Sequence, residues 1–311
     1  MKIGLLDVDG HNFPNIVLMK LSAWHKLHGD EVNWYTGIEH YNRVYMSKVF
    51  TFSPDDFRII QADEIIRGGT GYKMYAQCLS EEIEHTCPDY TIYHYPEAYG
   101  FLTRGCINQC PFCIVPQKEG MIRPNADIDE FLDNRKQAVL MDNNVLASPW
   151  GIQQIEKIAT RRVKIDFNQG LDCRIIAHDK GIANLLKRIH WIRFIRMAYD
   201  NSATTNDVET AISHLNSVGI PSSKLFFYIL VRKNEIDDAA KRATRLKRLG
   251  CVPFATPYRN FDINEPISDE QRQFAWWVNQ KAAFNSTSWQ QFNLAARKKN
   301  TPDSRQLLFK F

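Results

Sequence analysis

An alternation of apolar, strand-length runs with helix-period segments, beginning at Tyr99, constrains the fold more than any other feature of this sequence. Strand, helix and parallel strand form the repeating unit of α/β folds. Eight such units close a TIM barrel, so about six predict a partial (βα)6 TIM-like barrel whose functional face lies at the carboxyl ends of the strands. The apolar runs are YGFLT, AVLMDNN, VKIDFNQG, WIRFIRMAYD, KLFFYILV and CVPFATPY, and the helical segments are 127–137, 151–161, 179–189, 205–217, 235–249 and 268–284.

The residues before this alternation predict a smaller α/β domain. Apolar strand patterns occur at KIGLLDV, EVNWY, RVYMSKVF and ADEIIRGG, and a helix is expected from Pro14 to about His28. Strands separated by helices predict a doubly wound, Rossmann-like parallel sheet, which binds ligands at the carboxyl ends of its strands. We therefore expect three regions, namely the small domain at 1–96, the barrel at 97–262 and a helical extension at 263–311.

Composition and charge limit the classes of protein. A hydrophobic fraction of 44% and a charged fraction of 24% are ordinary for a globular protein. The net charge of +4 does not indicate nucleic acid, although it does not exclude it. The start MKIGLLDVDG lacks a signal-peptide pattern, and no uncharged stretch approaches the ~20 residues of a membrane span. We expect a cytoplasmic protein, and the basic segment KRATRLKRLG is expected to be a solvated helix face.

Three of the seven cysteines lie within eight residues, directly after the first strand of the predicted barrel. Cys106, Cys110 and Cys113 in a reducing compartment indicate metal binding rather than disulfides. Three thiolates can hold three irons of a four-iron cluster and leave the fourth iron open to an amine and a carboxylate. A zinc ion with a distant fourth ligand, or a cluster in a non-catalytic redox-sensing protein, is an alternative. The remaining cysteines are expected to be small buried hydrophobic residues, and they are Cys78, Cys87, Cys173 and Cys251.

The segment CINQCPFC resembles the CxxxCxxC signature of the radical S-adenosylmethionine superfamily, with Phe112 at a position that is usually aromatic. The resemblance covers about residues 97–260. It implies a six-unit partial barrel in which a [4Fe-4S] cluster binds S-adenosylmethionine through its open iron. Reductive cleavage would then yield a 5'-deoxyadenosyl radical that abstracts hydrogen from a substrate. A reductase, flavodoxin or ferredoxin is implied as electron donor, and the substrate is not indicated.

The same resemblance implies that polar residues at the strand ends bind S-adenosylmethionine. The segment MDNN stands where the family often has Gly-Gly-Glu, and its carboxylate and amides can accept from the methionine ammonium. The segment YILVRKNE stands at the family's GxIxGxxE but lacks both glycines, which removes the expected close backbone contact with adenine. A helix cap or turn is the alternative role for Asp142, Asn143 and Asn144. The predicted cofactor-binding residues are Phe112, Asp142, Asn143, Asn144, Asn168, Arg174, Arg196, Tyr199 and Glu235.

Two narrower resemblances lead to different enzymes. The stretch CINQCPFCIVPQKEG is similar to methylthiotransferases, which modify RNA or protein; Pro116 and Gly120 match, but Glu119 replaces an arginine. The small domain resembles a cobalamin-binding domain, since DGHNFP supplies Asp9 and His11 and the pair Gly68-Gly69 follows further on. A histidine supported by an aspartate is a sound metal ligand. Cobalamin and methyl transfer are therefore one alternative, and a degenerate domain without cobalamin is the other.

Overall fold

The computed structural model of the chain describes residues 1–10, 13–260 and 265–298, with side chains described as far as residue 293. Parallel strands alternate with helices, so the predicted mixed α/β class is confirmed. The chain divides into two compact units, residues 1–165 and 166–311. This division does not test the three domains expected from the sequence, which stay a prediction.

The first unit contains two parallel sheets and one short antiparallel pair. Strand β9 (Lys164–Phe167) contains the boundary between the two units. The strands of the first unit are β1 (Lys2–Asp7), β2 (Glu31–Trp34), β3 (Tyr41–Ser47), β4 (Ala62–Gly68), β5 (Ala98–Gly100), β6 (Thr103–Arg104), β7 (Arg123–Pro124) and β8 (Gln137–Leu140). Its helices are α1 (Ile16–Leu27), α2 (Glu81–Glu84), α3 (Val115–Lys118), α4 (Ile128–Leu132) and α5 (Pro149–Arg161).

The N-terminal sheet has the strand order β2-β1-β3-β4, and all of its pairs are parallel. Helix α1 connects β1 with β2, and its Leu18 and Leu21 pack on Ile3 and Leu5. It begins two residues later than predicted because Asn15 is its N-cap and accepts from the Leu18 N–H. The later connections, 35–40 and 48–61, are wholly described and contain no helix. The prediction of helices between all four strands was therefore wrong.

The rest of the first unit presents the cysteine loop. Strands β5 and β8 pair in parallel, as the predicted βα unit requires. Directly after β5, the short strand β6 pairs antiparallel with β7, joining Arg104 to Arg123 across the base of the loop that contains the three cysteines. Helix α4 begins with a capping box between Asp127 and Glu130 and covers only the first part of the predicted helix 127–137.

The second unit continues the alternation of strands and helices. Strands β11, β12 and β13 form a parallel sheet, and β12 alternates fully buried with half-buried residues. Its buried face, with Phe227 and Ile229, is the side that a helix layer covers in α/β folds. The elements are α6 (Cys173–His178), α7 (Lys180–Lys187), β10 (His190–Trp191), β11 (Ile195–Ala198), α8 (Thr205–Ser217), β12 (Leu225–Val231), α9 (Ile236–Arg248), β13 (Val252–Pro257), α10 (Asp269–Asn279), α11 (Lys281–Ser286) and α12 (Trp289–Lys298).

Candidate functional site

The cysteine loop lies between β6 and α3 and is closed on itself by its backbone. The Cys106 N–H donates to the Gly120 carbonyl over 3.2 Å, and the Cys113 N–H donates to the Cys110 carbonyl over 3.0 Å. Gly105 has a φ of +80°, and a Cβ there would lie 2.3 Å from the carbonyl oxygen of Met121. Glycine is therefore needed at the start of the loop, because the returning chain approaches too closely for any side chain.

Amide groups point at the sulfurs of Cys106 and Cys113. Cys106 Sγ accepts from the Asn108 N–H at 3.4 Å and from Asn144 Nδ2 at 3.6 Å. Cys113 Sγ accepts from the Val115 N–H at 3.5 Å. Amide hydrogen bonds stabilise negative charge on sulfur and are a means by which proteins tune thiolate ligands. In the described loop, such amide groups lie at the sulfurs of Cys106 and Cys113.

The three thiols also lie close enough to influence one another. Partial withdrawal from water raises the pKa of the Cys113 thiol, and negative charge on Cys110, Cys106 and Glu119 raises it further. Cys106 and Cys110 are half-buried and Cys113 is exposed. Phe112, next to Cys113 in the chain, is half-buried, and its binding to the cofactor stays a prediction.

Glu119 connects the start of this loop with the end of β8. Its side chain is only 8% exposed, and its Oε2 accepts from the Gly105 N–H at 3.0 Å and from Asn143 Nδ2 at 2.9 Å. Its Oε1 lies 3.6 Å from Nη1 of Arg104. From the sequence, Glu119 was only a departure from a methylthiotransferase pattern, so sequence reasoning missed its part in the site. A carboxylate that accepts hydrogen bonds from residues distant in sequence leaves no recognisable pattern in the residues around it.

Asp142 is fully buried at the end of β8 and holds the strand that enters the loop. Its Oδ2 accepts from the Leu102 N–H at 3.2 Å, and its Oδ1 accepts from the backbone N–H and the hydroxyl of Thr103 at 2.6 and 2.7 Å. Burial raises the pKa of the Asp142 carboxyl to about 6, and the bonds from Thr103 and Leu102 oppose that rise. Both oxygens are engaged within the protein, so contact with an ammonium group stays a prediction for this residue.

The residues of this loop fit an iron–sulfur cluster by the chemistry of their donors. Three thiols on one loop, with amide hydrogen bonds to the sulfurs of Cys106 and Cys113, match the ligands and the outer contacts that such clusters use. Within the described part of the chain, no group of three or more His, Cys, Asp and Glu side chains is placed to hold one metal ion. A four-iron cluster differs from a single ion in taking each thiolate on a different iron.

The four other cysteines divide into two kinds. Cys173 and Cys251 are buried, as predicted, and burial raises the pKa of each thiol to about 12. Cys78 is exposed and Cys87 is half-buried, so the prediction of a buried hydrophobic residue was wrong for Cys78. No sequence signal near Cys78 distinguishes it from the two buried cysteines.

In the second unit, Arg196 is held in an ion pair on the half-buried face of the sheet. It forms a bidentate pair with Asp166, with both N–O distances at 2.7 Å, and it donates to the Tyr228 hydroxyl at 3.0 Å. Tyr228 in turn donates to the Asn168 carbonyl at 2.8 Å. The structure therefore groups Arg196 and Asn168 with Asp166 and Tyr228, two residues that the sequence analysis did not select.

Three other predicted residues of this unit have local partners. Arg174 forms a bidentate pair with Asp172, the N-cap of α6. Tyr199 is buried, and its hydroxyl lies 2.5 Å from that of Thr205. Glu235 precedes α9 without a capping bond from its side chain and pairs with Arg232 at 2.9 Å. For all three residues, binding to S-adenosylmethionine stays a prediction.

Arg242 contradicts the expectation that KRATRLKRLG is a solvated helix face. It is 1% exposed and donates to the carbonyl oxygens of Tyr199 and Leu230, at the carboxyl ends of β11 and β12. It also pairs with Asp238 at 2.8 Å. The helix period places Arg242 on the buried side of α9, and a charge there is stable because three acceptors surround it. Asp200 lies near this ion pair, and burial raises the pKa of its carboxyl.

At the carboxyl edge of the N-terminal sheet, binding of cobalamin stays a prediction. His11, the predicted ligand, lies outside the described residues. The Asp9 carboxylate accepts from the N–H groups of Val49 and Phe50, so it is used within the protein. A Cβ on Gly69 would lie 2.3 Å from the carbonyl oxygen of Lys48. The glycine therefore admits the protein's own backbone, and we derive no step that uses cobalamin.

Comparison with known proteins adds no relative: no family profile matches the chain, and no curated protein sequence matches it significantly. Among the described residues, no helix is both long enough and apolar enough to cross a membrane, in agreement with the sequence. The cysteine loop and the strand ends are therefore interpreted from their own geometry.

Proposed function

We propose that the chain is a radical S-adenosylmethionine enzyme in which Cys106, Cys110 and Cys113 hold a [4Fe-4S] cluster. The observation that carries the proposal is one loop that holds three thiols, with amide groups donating to the sulfurs of Cys106 and Cys113. The resemblance of CINQCPFC to the superfamily signature agrees with it. When bound, the cluster would supply the electron that cleaves S-adenosylmethionine reductively.

The protein's own part in this chemistry is to hold the ligands. Asp142 fixes Leu102 and Thr103, directly before the loop, so that the thiols project from a rigid base. Asn144 is 1% exposed and supports Cys106 from the end of β8. We further propose that the six strand–helix units form the partial TIM-like barrel that the resemblance implies.

The partners follow from the same proposal. The reaction needs an electron from outside, which a flavodoxin, a ferredoxin or a dedicated reductase can supply. The substrate has no assignment, and methyl transfer is one reaction class within the proposal. In the second unit, Arg196 is neutralised by Asp166, so a free carboxylate would have to compete for a guanidinium that is already paired on two nitrogens.

Anaerobic reconstitution tests the function directly. We expect about four irons and four sulfides per chain, and release of 5'-deoxyadenosine or S-adenosylhomocysteine after reduction in the presence of S-adenosylmethionine. The Cys113→Ala variant should release neither product, whereas Cys78→Ala, which changes an exposed cysteine outside the loop, should match the native protein. Four bound irons without either product would contradict the enzyme function and indicate a non-catalytic cluster protein. Zinc in place of iron would contradict the proposed cluster.

A further inference from the structure

We propose that Glu119 is a positioning residue that holds the Asn144 amide against the sulfur of Cys106. The inference rests on the proposed function, since the sulfur concerned is that of a proposed cluster ligand. It concerns three parts of the chain that are distant in sequence: the start of the cysteine loop at Gly105, the end of α3 at Glu119 and the end of β8 at Asn143 and Asn144. A carboxylate shared by these parts decides where the Asn144 amide lies.

The contacts of Glu119 join the three parts through one oxygen. Its Oε2 accepts from the Gly105 N–H at 3.0 Å and from Asn143 Nδ2 at 2.9 Å. The side chain is 8% exposed, so water competes little for either bond. Hydrogen bonds to a charged acceptor are about twice as strong as those between neutral groups. Glu119 therefore links the loop to β8 more firmly than a neutral residue would.

The backbone around Glu119 fixes the carboxylate itself. Arg123 Nη1 donates to the Glu119 carbonyl at 2.6 Å, and the Cys106 N–H donates to the Gly120 carbonyl at 3.2 Å. Gly105 lies so close to residues 120 and 121 that no side chain fits there. The returning chain thus packs on the start of the loop and has little freedom to move the carboxylate away.

The consequence concerns the sulfur of Cys106. Asn143 is the immediate neighbour of Asn144, whose Nδ2 donates to Cys106 Sγ at 3.6 Å. A hydrogen bond to a cluster sulfur stabilises the more negative, reduced state and raises the reduction potential. Glu119 holds Asn143, Asn143 restrains Asn144, and Asn144 acts on the sulfur. Loss of the link at Glu119 should lower the potential without any change in the ligands.

Two neutral variants separate this role from the charge of Glu119. Glu119→Gln keeps an oxygen for Gly105 and Asn143 and turns its amino group toward Arg104, whereas Glu119→Leu keeps the bulk but removes the acceptor. In the metal-free protein, hydrogen exchange of the Gly105 amide should be about tenfold or more faster in Glu119→Leu than in Glu119→Gln. Equal exchange rates in the two variants would overturn the link.

The second arm uses the reconstituted protein and its reduction potential, measured by electron paramagnetic resonance during titration with dithionite. Glu119→Leu should have a lower potential than Glu119→Gln, in the same direction as Asn144→Leu relative to the native protein. Adding Glu119→Leu to Asn144→Leu should cause no further decrease, because Glu119 acts through Asn144. Additive shifts would overturn the proposal.

These experiments distinguish a failure of the proposed enzyme function from a failure of the inference about Glu119. If the native protein binds a cluster but releases no 5'-deoxyadenosine, the proposed function is wrong while the order of the potentials still decides the role of Glu119. If the native protein binds no iron, the exchange rates of the metal-free variants still decide whether Glu119 links the loop to β8.

Discussion

Nδ2 of Asn144 donates to Sγ of Cys106 over 3.6 Å and so connects the end of β8 with the first thiol of the cysteine loop. The two residues are 38 positions apart in the chain. Asn144 is 1% exposed, so the amide is shielded from water. This contact shows that the loop is supported from a neighbouring parallel strand.

Alanine in place of a loop cysteine should abolish stable cluster binding. Two of the three thiolates remain in each of the variants Cys106→Ala, Cys110→Ala and Cys113→Ala. We expect the iron content after desalting to fall at least about tenfold, because the loss of one good ligand costs more than about 1.4 kcal/mol of binding free energy. Iron and sulfide analysis after anaerobic reconstitution measures the change. The control is Cys78→Ala, and equal iron in a loop variant and the control would contradict the prediction.

Alanine at Gly105 should destabilise the protein more than alanine at Gly120. Both glycines have positive φ, +80° and +72°, so the backbone strain is matched. A Cβ at Gly105 would meet the Met121 carbonyl oxygen, whereas nothing lies within 4 Å of a Cβ at Gly120. We expect Gly120→Ala to cost about 1–2 kcal/mol of unfolding free energy and Gly105→Ala to cost more. Urea unfolding of both variants measures the difference. Equal losses of unfolding free energy would show that the backbone moves enough to relieve the close approach between Gly105 and the Met121 carbonyl.

Stability should depend on pH through Asp142. Burial raises the pKa of its carboxyl from 3.8 to about 6, so the folded protein binds this proton more tightly than the unfolded chain does. The stabilisation is complete below pH ~4 and is lost as the pH rises through about 6, with a magnitude of about 3 kcal/mol.

Comparison with Asp142→Asn isolates this contribution. The difference in unfolding free energy between the native protein and the variant should change by about 3 kcal/mol between pH 4 and pH 8. Over this range the native protein should lose stability relative to the variant. Unfolding by urea at several pH values measures it. A difference that stays constant over this range would contradict the assignment to Asp142.

Removal of the buried guanidinium of Arg242 should destabilise the second unit. Arg242→Met keeps most of the apolar length but leaves the carbonyls of Tyr199 and Leu230 without their donor. A loss of about 2–4 kcal/mol in unfolding free energy is expected, because buried acceptors lose their partners. The neighbouring Lys241 is exposed, and Lys241→Met should change stability by less than about 0.5 kcal/mol. Equal effects would show that the burial of Arg242 contributes nothing.

The arrangement of elements could be predicted from sequence because hydrophobic period is a local property. The runs KLFFYILV and CVPFATPY form β12 and β13, and the segments 151–161 and 205–217 coincide with α5 and α8 within two residues. Where the pattern predicted helices between all strands of the N-terminal sheet, it failed because short links replace helices there. The cluster of cysteines was equally local, since its spacing within one loop is visible directly.

Tertiary structure decided which polar residues belong together and which charges are buried. The links of Glu119 to Gly105 and Asn143 span 14 and 24 residues, and Asp142 reaches Thr103 across 39. Such pairs depend on how parallel strands bring their carboxyl ends to one edge, which no short-range pattern records. Sequence alone determined the mixed α/β class, strands such as β12 and β13, and the presence of three cysteines in one loop. Only the folded chain decided that the Glu119 carboxylate joins Gly105 to Asn143 and that Arg242 is buried. Burial and pairing depend on neighbours that are far away in sequence.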